Sequence, residues 1–143
     1  MIVESLLKTK GTSVYTIERR KQLSETVRLL ADKRIGAAVV VDQVGALCGV
    51  LSERDVVQAI ARQGSPALSR PVSDFMSVEV VTCRLHDTVD ALMELMTKRR
   101  IRHLPVVEDG AIRGIVSIGD VVKWRIAETV MEAEALREYI ATS

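Results

Sequence analysis

A glycine, a serine and an aspartate recur at the same spacing in two short segments of the chain. The segments are residues 49–55 (GVLSERD) and 114–120 (GIVSIGD). In each, a helical pattern begins at the serine after a short apolar run, and the free N–H groups and dipole of a helix start favour an anion. A serine hydroxyl can donate to a phosphate, and a carboxylate one turn further on can accept both hydroxyls of a ribose. The pair could therefore form a nucleotide site.

The same residues also have a purely structural interpretation. Ser52 with Asp55, and Ser117 with Asp120, are spaced as the two members of a capping box, which satisfies the first N–H groups of a helix. Such a cap is worth about 1 kcal/mol and needs no ligand. The glycine that opens each segment lets a ligand or a strand approach closely. The motif alone leaves both interpretations open.

The cationic residues around the motif differ between the two copies. Arg54 stands in the first helical turn of the first copy, where the second copy has Gly119. A cation at that place opposes the helix dipole unless it faces a bound anion. The second copy instead carries Arg102 and His103 before its middle strand. We expect two unequal clefts, one with Arg54 and one with Arg102 and His103, although these could equally be solvated or structural side chains.

The sequence around the motif repeats as well and predicts the elements that position it. Each copy reads as a strand, an amphipathic helix, two strands joined by a tight turn, and a second helix. The predicted strands are 14–17, 38–41 and 46–51 in the first copy and 80–83, 104–107 and 111–117 in the second. The first helices cover 23–34 and 89–100, the latter capped by Asp87 or Thr88. Because neither copy of roughly 60 residues has much core of its own, we expect an α/β (α+β) fold with the copies packed sheet against sheet.

The remaining segments set the predicted domain boundaries. We place the first repeat at 1–62, a linker with Gly, Ser and Pro at 63–71, the second repeat at 72–127 and a helical extension at 128–143. Residues 3–7 and 72–76 resemble each other and predict short lead-in helices. Apolar residues recur every three to four positions near the C-terminus, at Val122, Ile126, Val130, Ala133, Leu136 and Ile140. This stripe predicts either packing on the chain's own domain or contact with a second copy or a partner.

Composition excludes several classes of function. With 20 basic and 19 acidic residues and 3% aromatics, the chain of 143 residues gives no reason to expect nucleic acid as a partner. The longest apolar run, 37–41, is too short to span a membrane, and no secretory signal pattern opens the sequence. We expect a cytoplasmic protein with no membrane contact. Cys48 and Cys83 stand at non-equivalent positions and predict two free thiols, with a redox switch as the alternative.

Enzymatic activity is not expected. The sequence has no Gly-rich dinucleotide fingerprint, no Walker-type phosphate loop and no cluster of metal ligands. Its two histidines, His86 and His103, form no evident nucleophile–base arrangement. We therefore predict no catalytic residues, no metal and no catalytic cofactor.

Taken together, the motifs resemble those of a tandem pair of CBS domains, named after cystathionine β-synthase. The resemblance covers about residues 3–127 and rests on the doubled motif, on 101–107 (IRHLPVV) and on 74–76 (DFM) before 80–82 (VVT). It implies two β-α-β-β-α repeats related by pseudo-twofold symmetry, with adenosyl ligands such as AMP, ADP, ATP, NAD(H) or S-adenosylmethionine bound in central clefts. It also implies a disc-shaped homodimer and the regulation of an attached or partner protein.

The resemblance further implies roles for individual residues. Asp55 and Asp120 would hold ribose hydroxyls, and Ser52 and Ser117 would contact phosphate or ribose oxygens. Thr16 and Thr82 would line the cleft beside the base or phosphate. The backbone around the adenine would be that of Gly36, Ala37 and Ala38 and of His103, Leu104 and Pro105. Arg102 and His103 would also contact the phosphate.

The first copy departs from the family pattern in its middle strand. Val39 stands where the second copy has Pro105, and Gly36 and Ala37 replace an Arg-His pair. This weakens the case for phosphate binding from that strand and leaves room for a bulkier ligand such as a dinucleotide. The resulting hypothesis is a stand-alone, energy-sensing regulator that binds adenine nucleotides. The alternative is a ligand-free dimerisation or protein-interaction module of the same fold.

Overall fold

The computed structural model describes residues 1–142, which form two small sheets flanked by helices. The elements in chain order are α1 (Val3–Lys10), β1 (Thr16–Glu18), α2 (Leu23–Lys33), β2 (Ala37–Val41), β3 (Leu47–Ser52), α3 (Glu53–Gln63), α4 (Val89–Arg99), β4 (His103–Glu108), β5 (Ala111–Ser117) and α5 (Ile118–Thr142). Two 3₁₀ helices, Ser65–Ser69 and Val72–Asp74, lie between α3 and α4. This arrangement confirms the predicted α+β fold of two related repeats.

Each repeat is built around an antiparallel hairpin. In the first, β2 pairs with β3, and β1 adds to β2 in parallel. In the second, β4 pairs with β5. The turns differ in length by one residue, as predicted, and both use backbone with positive φ, at Gly45 in the first hairpin and at Asp109 and Gly110 in the second. Each copy of the motif therefore lies at the junction between the second strand of a hairpin and the following helix.

The predicted strand at 80–83 is wrong, because the second repeat has only a single parallel bridge there, between Cys83 and Val106. In the first repeat the corresponding ladder includes a bond from the Val39 N–H to the Tyr15 carbonyl, at 3.2 Å. The residue equivalent to Val39 is Pro105, which has no N–H to donate. The loss of that bond shortens the ladder. The first-repeat strand itself lies at Thr16–Glu18, shifted along the chain from the predicted 14–17.

The two lead-in segments cross over, so that each packs on the other repeat. Helix α1 belongs to the core of the second repeat, and the Val3 N–H donates to the Asp87 carbonyl at 2.9 Å. Residues 67–76 belong instead to the core of the first repeat, where Ala67 and Val72 are fully buried. The copy at 3–7 is helical as predicted, whereas the copy at 72–76 contains only a 3₁₀ turn.

The glycines that open the two motifs are the points where the crossed segments come closest. A Cβ atom on Gly49 would lie 2.6 Å from the Met76 sulfur, and one on Gly114 would lie 2.9 Å from a methyl carbon of Leu7. Met76 and Leu7 occupy equivalent places in the two lead-in segments. The missing side chains therefore admit the lead-in segment of the other repeat, rather than a ligand.

Helix α5 joins the second helix of the repeat and the C-terminal extension into one helix of 25 residues. Val121 is buried against the second repeat, but the apolar stripe beyond it is exposed, with Ile126 and Leu136 each 60% accessible. The stripe does not pack on the chain's own domain. Within residues 1–142 no helix is long and apolar enough to cross a membrane.

Both cysteines carry free thiols. Cys83 is buried in the second repeat, and burial, reinforced by Asp87, raises the pKa of its thiol to about 12. Cys48 is partly buried and its Sγ donates to the Val40 carbonyl at 3.4 Å, and burial likewise raises the pKa of its thiol. Because the thiolate is the reactive form, both side chains are poorly nucleophilic near neutral pH.

Replacing Gly49 tests the close approach of the crossed segment. We expect Gly49→Ala to lower the free energy of unfolding by about 1–3 kcal/mol, since the new methyl overlaps Met76 and comes within 3.0 Å of the Ser77 carbonyl. Gly119→Ala is the matched control, because its Cβ would meet nothing closer than 3.6 Å. Urea denaturation measures both changes. Equal stability of the two variants would contradict the packing role.

Candidate functional site

The serine and aspartate of each motif form a capping box. Asp55 Oδ2 accepts from the Ser52 N–H at 2.8 Å and from the Ser52 hydroxyl at 3.1 Å, and the Asp55 N–H donates back to Ser52 Oγ at 3.3 Å. Ser117 and Asp120 make the same three bonds at 2.9, 2.9 and 3.2 Å. Each serine hydrogen is thus committed to its aspartate, so the serine cannot donate to a phosphate while that bond is kept.

The capping boxes leave one oxygen of each aspartate available. Among the described residues nothing donates a hydrogen bond to Oδ1 of Asp55 or of Asp120. An ionised carboxylate oxygen can accept two hydrogen bonds, which suits the paired hydroxyls of a ribose. The structural and the binding interpretations of the motif are therefore compatible, because they use different oxygens of the same side chain.

Two clefts lie between the repeats, and each contains one motif. The first cleft, of about 310 Å³, is lined by Gly36, Val50, Ser52, Glu53, Arg54, Asp55, Ser77, Glu79, Val80, Val81, Arg100, Ile101, Arg102 and His103. The second cleft, of about 350 Å³, is lined by Lys10, Gly11, Ser13, Val14, Tyr15, Arg34, Ile35, Gly36, Ala37, His103, Ile115, Ser117 and Asp120. Each cleft thus combines the motif of one repeat with the start of the middle strand of the other.

Most lining positions correspond under the pseudo-twofold symmetry of the repeats. Arg34 and Arg100 are an equivalent pair, each ending its helix in the left-handed conformation at φ 54°. Their position in the sequence indicates only a structural role, because a cation at the C-terminal end of a helix is favoured by the helix dipole. Their positive φ turns the chain toward the middle strand, and this places both residues at the clefts.

The predicted site residues divide into two groups. Those that line a cleft are Gly36, Ala37, Ser52, Arg54, Asp55, Arg102, His103, Ser117 and Asp120. Those that line neither are Thr16, Ala38, Thr82, Leu104 and Pro105. Ala38, Leu104 and Pro105 are buried within the sheets, and the two threonines are exposed. The preceding residues, Val14 and Tyr15 or Val80 and Val81, line the clefts instead.

The expected division of the basic residues between the clefts is not what the structure shows. Arg54, Arg102 and His103 all line the first cleft, although Arg54 comes from the first repeat and the others from the second. The middle strand of the second repeat begins opposite the motif of the first repeat. Its basic residues, Arg102 and His103, therefore lie in the cleft that contains Ser52 and Asp55. The second cleft draws its cations from Lys10 and Arg34.

His103 stands between the two clefts and lines both. Its ring comes within 3.1–3.2 Å of the place where a side chain on Gly36 would begin, so the glycine makes room for the imidazole. Burial holds the pKa of His103 below its ordinary value of 6.5, with further lowering by Lys10 and Arg102 opposed by Glu53 and Asp120. The wall shared by the clefts is therefore an uncharged imidazole near neutral pH.

The two aspartates differ in their ionic partners. Lys10 Nζ lies 2.5 Å from Asp120 Oδ2 and donates to the Ile115 carbonyl at 2.6 Å. Burial raises the pKa of Asp120, but the hydrogen bonds from Lys10 and Ser117 outweigh it, and the net pKa is below the ordinary value. Asp55 has no ion-pair partner in the described part of the chain.

The clefts together offer acceptors for a diol, cations for a phosphate and an apolar wall for a flat base. In the first cleft the apolar wall is formed by Val50, Val80, Val81 and Ile101. Within residues 1–142 no group of three His, Cys, Asp or Glu side chains is placed to hold a metal ion. This arrangement would suit a polar, partly anionic small molecule.

Comparison with known proteins identifies related sequences and folds. The profile of the CBS domain matches residues 9–62 and 72–127. The CBS domain-containing protein CBSX3, mitochondrial, of Arabidopsis thaliana is 38% identical over 120 residues, which are 81% of this chain but 58% of that relative. The chain thus spans little more than half of that protein.

Two solved structures extend the comparison. The crystal structure of the CBS-domain containing protein ATU1752 from Agrobacterium tumefaciens is 45% identical, with a TM-score of 0.85, and the match covers 87% of this chain and 92% of that one. The CBS domain pair of protein MJ0100, in complex with 5′-methylthioadenosine and S-adenosyl-L-methionine, is 23% identical with a TM-score of 0.80, covering 90% of this chain and 98% of that one. At 23% identity the second likeness concerns the fold alone.

The neutral state of His103 predicts a pH dependence of stability. As the pH falls below 6.5, the unfolded chain takes up a proton at His103 before the folded chain does, because the folded pKa is lower. The free energy of unfolding should therefore fall between about pH 7 and about pH 5, and less so in His103→Gln. Urea denaturation at both pH values measures it, with His86→Gln as the exposed control. An equal fall in His103→Gln and the unsubstituted chain would contradict the burial of a neutral imidazole.

Proposed function

The chain belongs to the CBS domain family as a tandem pair of its domains, and from this we propose that it is a regulatory module for adenine nucleotides. AMP, ATP or NAD(H) would bind in the clefts between the two repeats, and the ligand state would pass to a partner protein. The repeats would be residues 1–62 and 72–127, joined by 63–71 and followed by the extension 128–143. The proposed role is regulatory rather than catalytic.

The observation that carries this proposal is the unoccupied oxygen of Asp55 in the first cleft. The carboxylate stands at the start of α3 with Oδ2 held by Ser52, so Oδ1 is fixed in direction and open to a ribose diol. Arg100 and Arg102 of the other repeat line the same cleft, as does Arg54. A phosphate beside the ribose would meet these cations, and charge-assisted bonds of this kind are about twice as strong as neutral ones.

A related fold with bound ligands supports the class of ligand. The CBS domain pair of MJ0100 was crystallised with 5′-methylthioadenosine and S-adenosyl-L-methionine. Both contain an adenosyl group, which combines a flat base with a ribose. The apolar wall of the first cleft and the open oxygen of Asp55 offer one partner to each of these parts.

The route to a partner is proposed through α5. Its exposed stripe, which includes Ile126, Val130 and Leu136, would serve a homodimer or a regulated protein. The same stripe favours the second candidate function, a ligand-free interaction module of the same fold. A reducing compartment such as the cytoplasm would suit the two free thiols.

Thermal unfolding with AMP, ATP, NAD, NADH and S-adenosylmethionine separates the two candidates. A ligand that binds only the folded chain should stabilise it by about 2.7 kcal/mol at roughly 100 times its dissociation constant. Asp55→Asn should abolish the part of this shift that comes from the first cleft, because the amide keeps an acceptor for the cap but replaces the other oxygen with a donor. Asp120→Asn should likewise abolish the part of the shift that comes from the second cleft.

Asp32→Asn is the matched control, since Asp32 is an exposed aspartate of α2 outside both clefts. It should leave every ligand-induced shift unchanged. If no ligand shifts the unfolding of the unsubstituted chain, the ligand-free interaction module becomes the better account.

A further inference from the structure

Lys10 places a positive charge in the second cleft that has no counterpart in the first. Its Nζ contacts Asp120 Oδ2 and the Ile115 carbonyl, and its side chain is only 26% exposed. The position equivalent to Lys10 in the other lead-in segment is Glu79, which lines the first cleft. The same place in the two clefts therefore carries opposite charge.

Lys10 lies in the second cleft because the two lead-in segments form different hydrogen bonds with strands β3 and β5. In the first repeat, the Ser77 N–H donates to the Val50 carbonyl at 2.9 Å. In the second repeat the equivalent carbonyl is that of Ile115, and Lys10 Nζ donates to it instead. Helix α1 runs on to Lys10, so the chain there has its backbone within a helix and offers a side chain in place of the N–H.

We propose that Lys10 makes the second cleft selective for adenosyl ligands that carry a phosphate over those that are uncharged or cationic. This inference rests on the proposed nucleotide-binding function. It concerns the second cleft alone and assigns a role to a residue outside the doubled motif.

The ion pair with Lys10 weakens Asp120 as a partner for a ligand without phosphate. A carboxylate that already pairs with an ammonium is a weaker acceptor for ribose hydroxyls than a free carboxylate, because part of its charge is neutralised. A nucleoside without phosphate therefore gains less from Asp120 than it would from Asp55. Displacing the pair does not help, since it would leave the ammonium of a side chain only 26% exposed with the Ile115 carbonyl as its remaining partner.

A phosphate changes this balance. It can contact the ammonium without breaking the pair, and Arg34 lines the same cleft. The second cleft has two cations, Lys10 and Arg34, for one carboxylate, Asp120. The first cleft has three of each, with Arg54, Arg100 and Arg102 against Glu53, Asp55 and Glu79. The surplus of positive charge in the second cleft favours an anionic ligand.

Adenosine and AMP test the proposal, because they differ only in the phosphate. The first cleft is silenced with Asp55→Asn, and calorimetric titration gives the dissociation constant of each ligand with and without Lys10→Met. We expect Lys10→Met to tighten adenosine binding about tenfold and to weaken AMP binding about tenfold, which corresponds to about 1.4 kcal/mol in each direction. Methionine keeps the length of the aliphatic side chain, so the change is mainly one of charge.

A merely structural role for Lys10 predicts a different result. If the residue only satisfies the Ile115 carbonyl, its replacement should weaken both ligands together or neither, and the preference for AMP should stay constant. Lys10→Arg should retain the preference, and it keeps the test informative if Lys10→Met fails to fold. Lys8→Met is the matched control on the same helix, because the Lys8 side chain is 77% exposed and, among residues 1–142, pairs with Glu4 alone.

Each outcome is decisive. An unchanged ratio of the two dissociation constants overturns the role of Lys10 while leaving the proposed function in place. Binding to the unsubstituted chain that disappears entirely in Asp55→Asn shows that the second cleft takes no ligand, and also overturns the inference. If the unsubstituted chain binds neither adenosine nor AMP, the proposed function is undermined and the inference falls with it.

Discussion

The close approach of each lead-in segment to the opposite repeat is the constraint on which the rest of the molecule depends. The chain enters through α1, which packs in the core of the second repeat, and returns through residues 67–76, which pack in the core of the first. Gly49 and Gly114 make both crossings possible by leaving room for Met76 and Leu7. Each core thus contains the lead-in segment of the other repeat, so the repeats cannot separate without exposing apolar surface. This packing also fixes the position of the cleft walls relative to each other.

The capping boxes connect this packing to the clefts. The first N–H of α3 donates to the Gly36 carbonyl at 2.9 Å, and the first N–H of α5 donates to the Arg102 carbonyl at 2.8 Å. Each helix start is thereby fixed to the residue before the middle strand of its own repeat. In each cap the Oδ2 atom of the aspartate accepts hydrogen bonds from the serine, and this also fixes the direction of the remaining oxygen, Oδ1. The cap and the proposed binding role therefore use different oxygens of one side chain.

The sequence predicts the fold well and the site in part. A doubled motif, helical periodicity and turn residues are local signals, and they place the hairpins, α2 to α5 and the paired Ser52–Asp55 and Ser117–Asp120 correctly. What they cannot show is which repeat faces which motif, since that depends on the crossing of the lead-in segments. For this reason the expectation that Arg102 shares a cleft with Asp120 is wrong, and His103, expected in one cleft, lines both. Lys10 and Glu79 carry no local signal that marks them as cleft residues. The strand expected at 80–83 is wrong for a different reason, because the effect of Pro105 on the ladder appears only once its pairing partner is known.

The proline in β4 also leaves the walls of the two clefts paired to different extents. Residues 78–82 run along the first cleft between two fixed points, the Ser77–Val50 bridge and the Cys83–Val106 bridge, and Val80 and Val81 form the cleft wall there. The corresponding wall of the second cleft leads directly into β1, where consecutive residues are paired with β2. Local opening of a segment costs less when fewer backbone hydrogen bonds must break. We therefore expect local opening of the wall at 78–82 to cost less than opening of the corresponding wall of the second cleft, which ends in a paired strand.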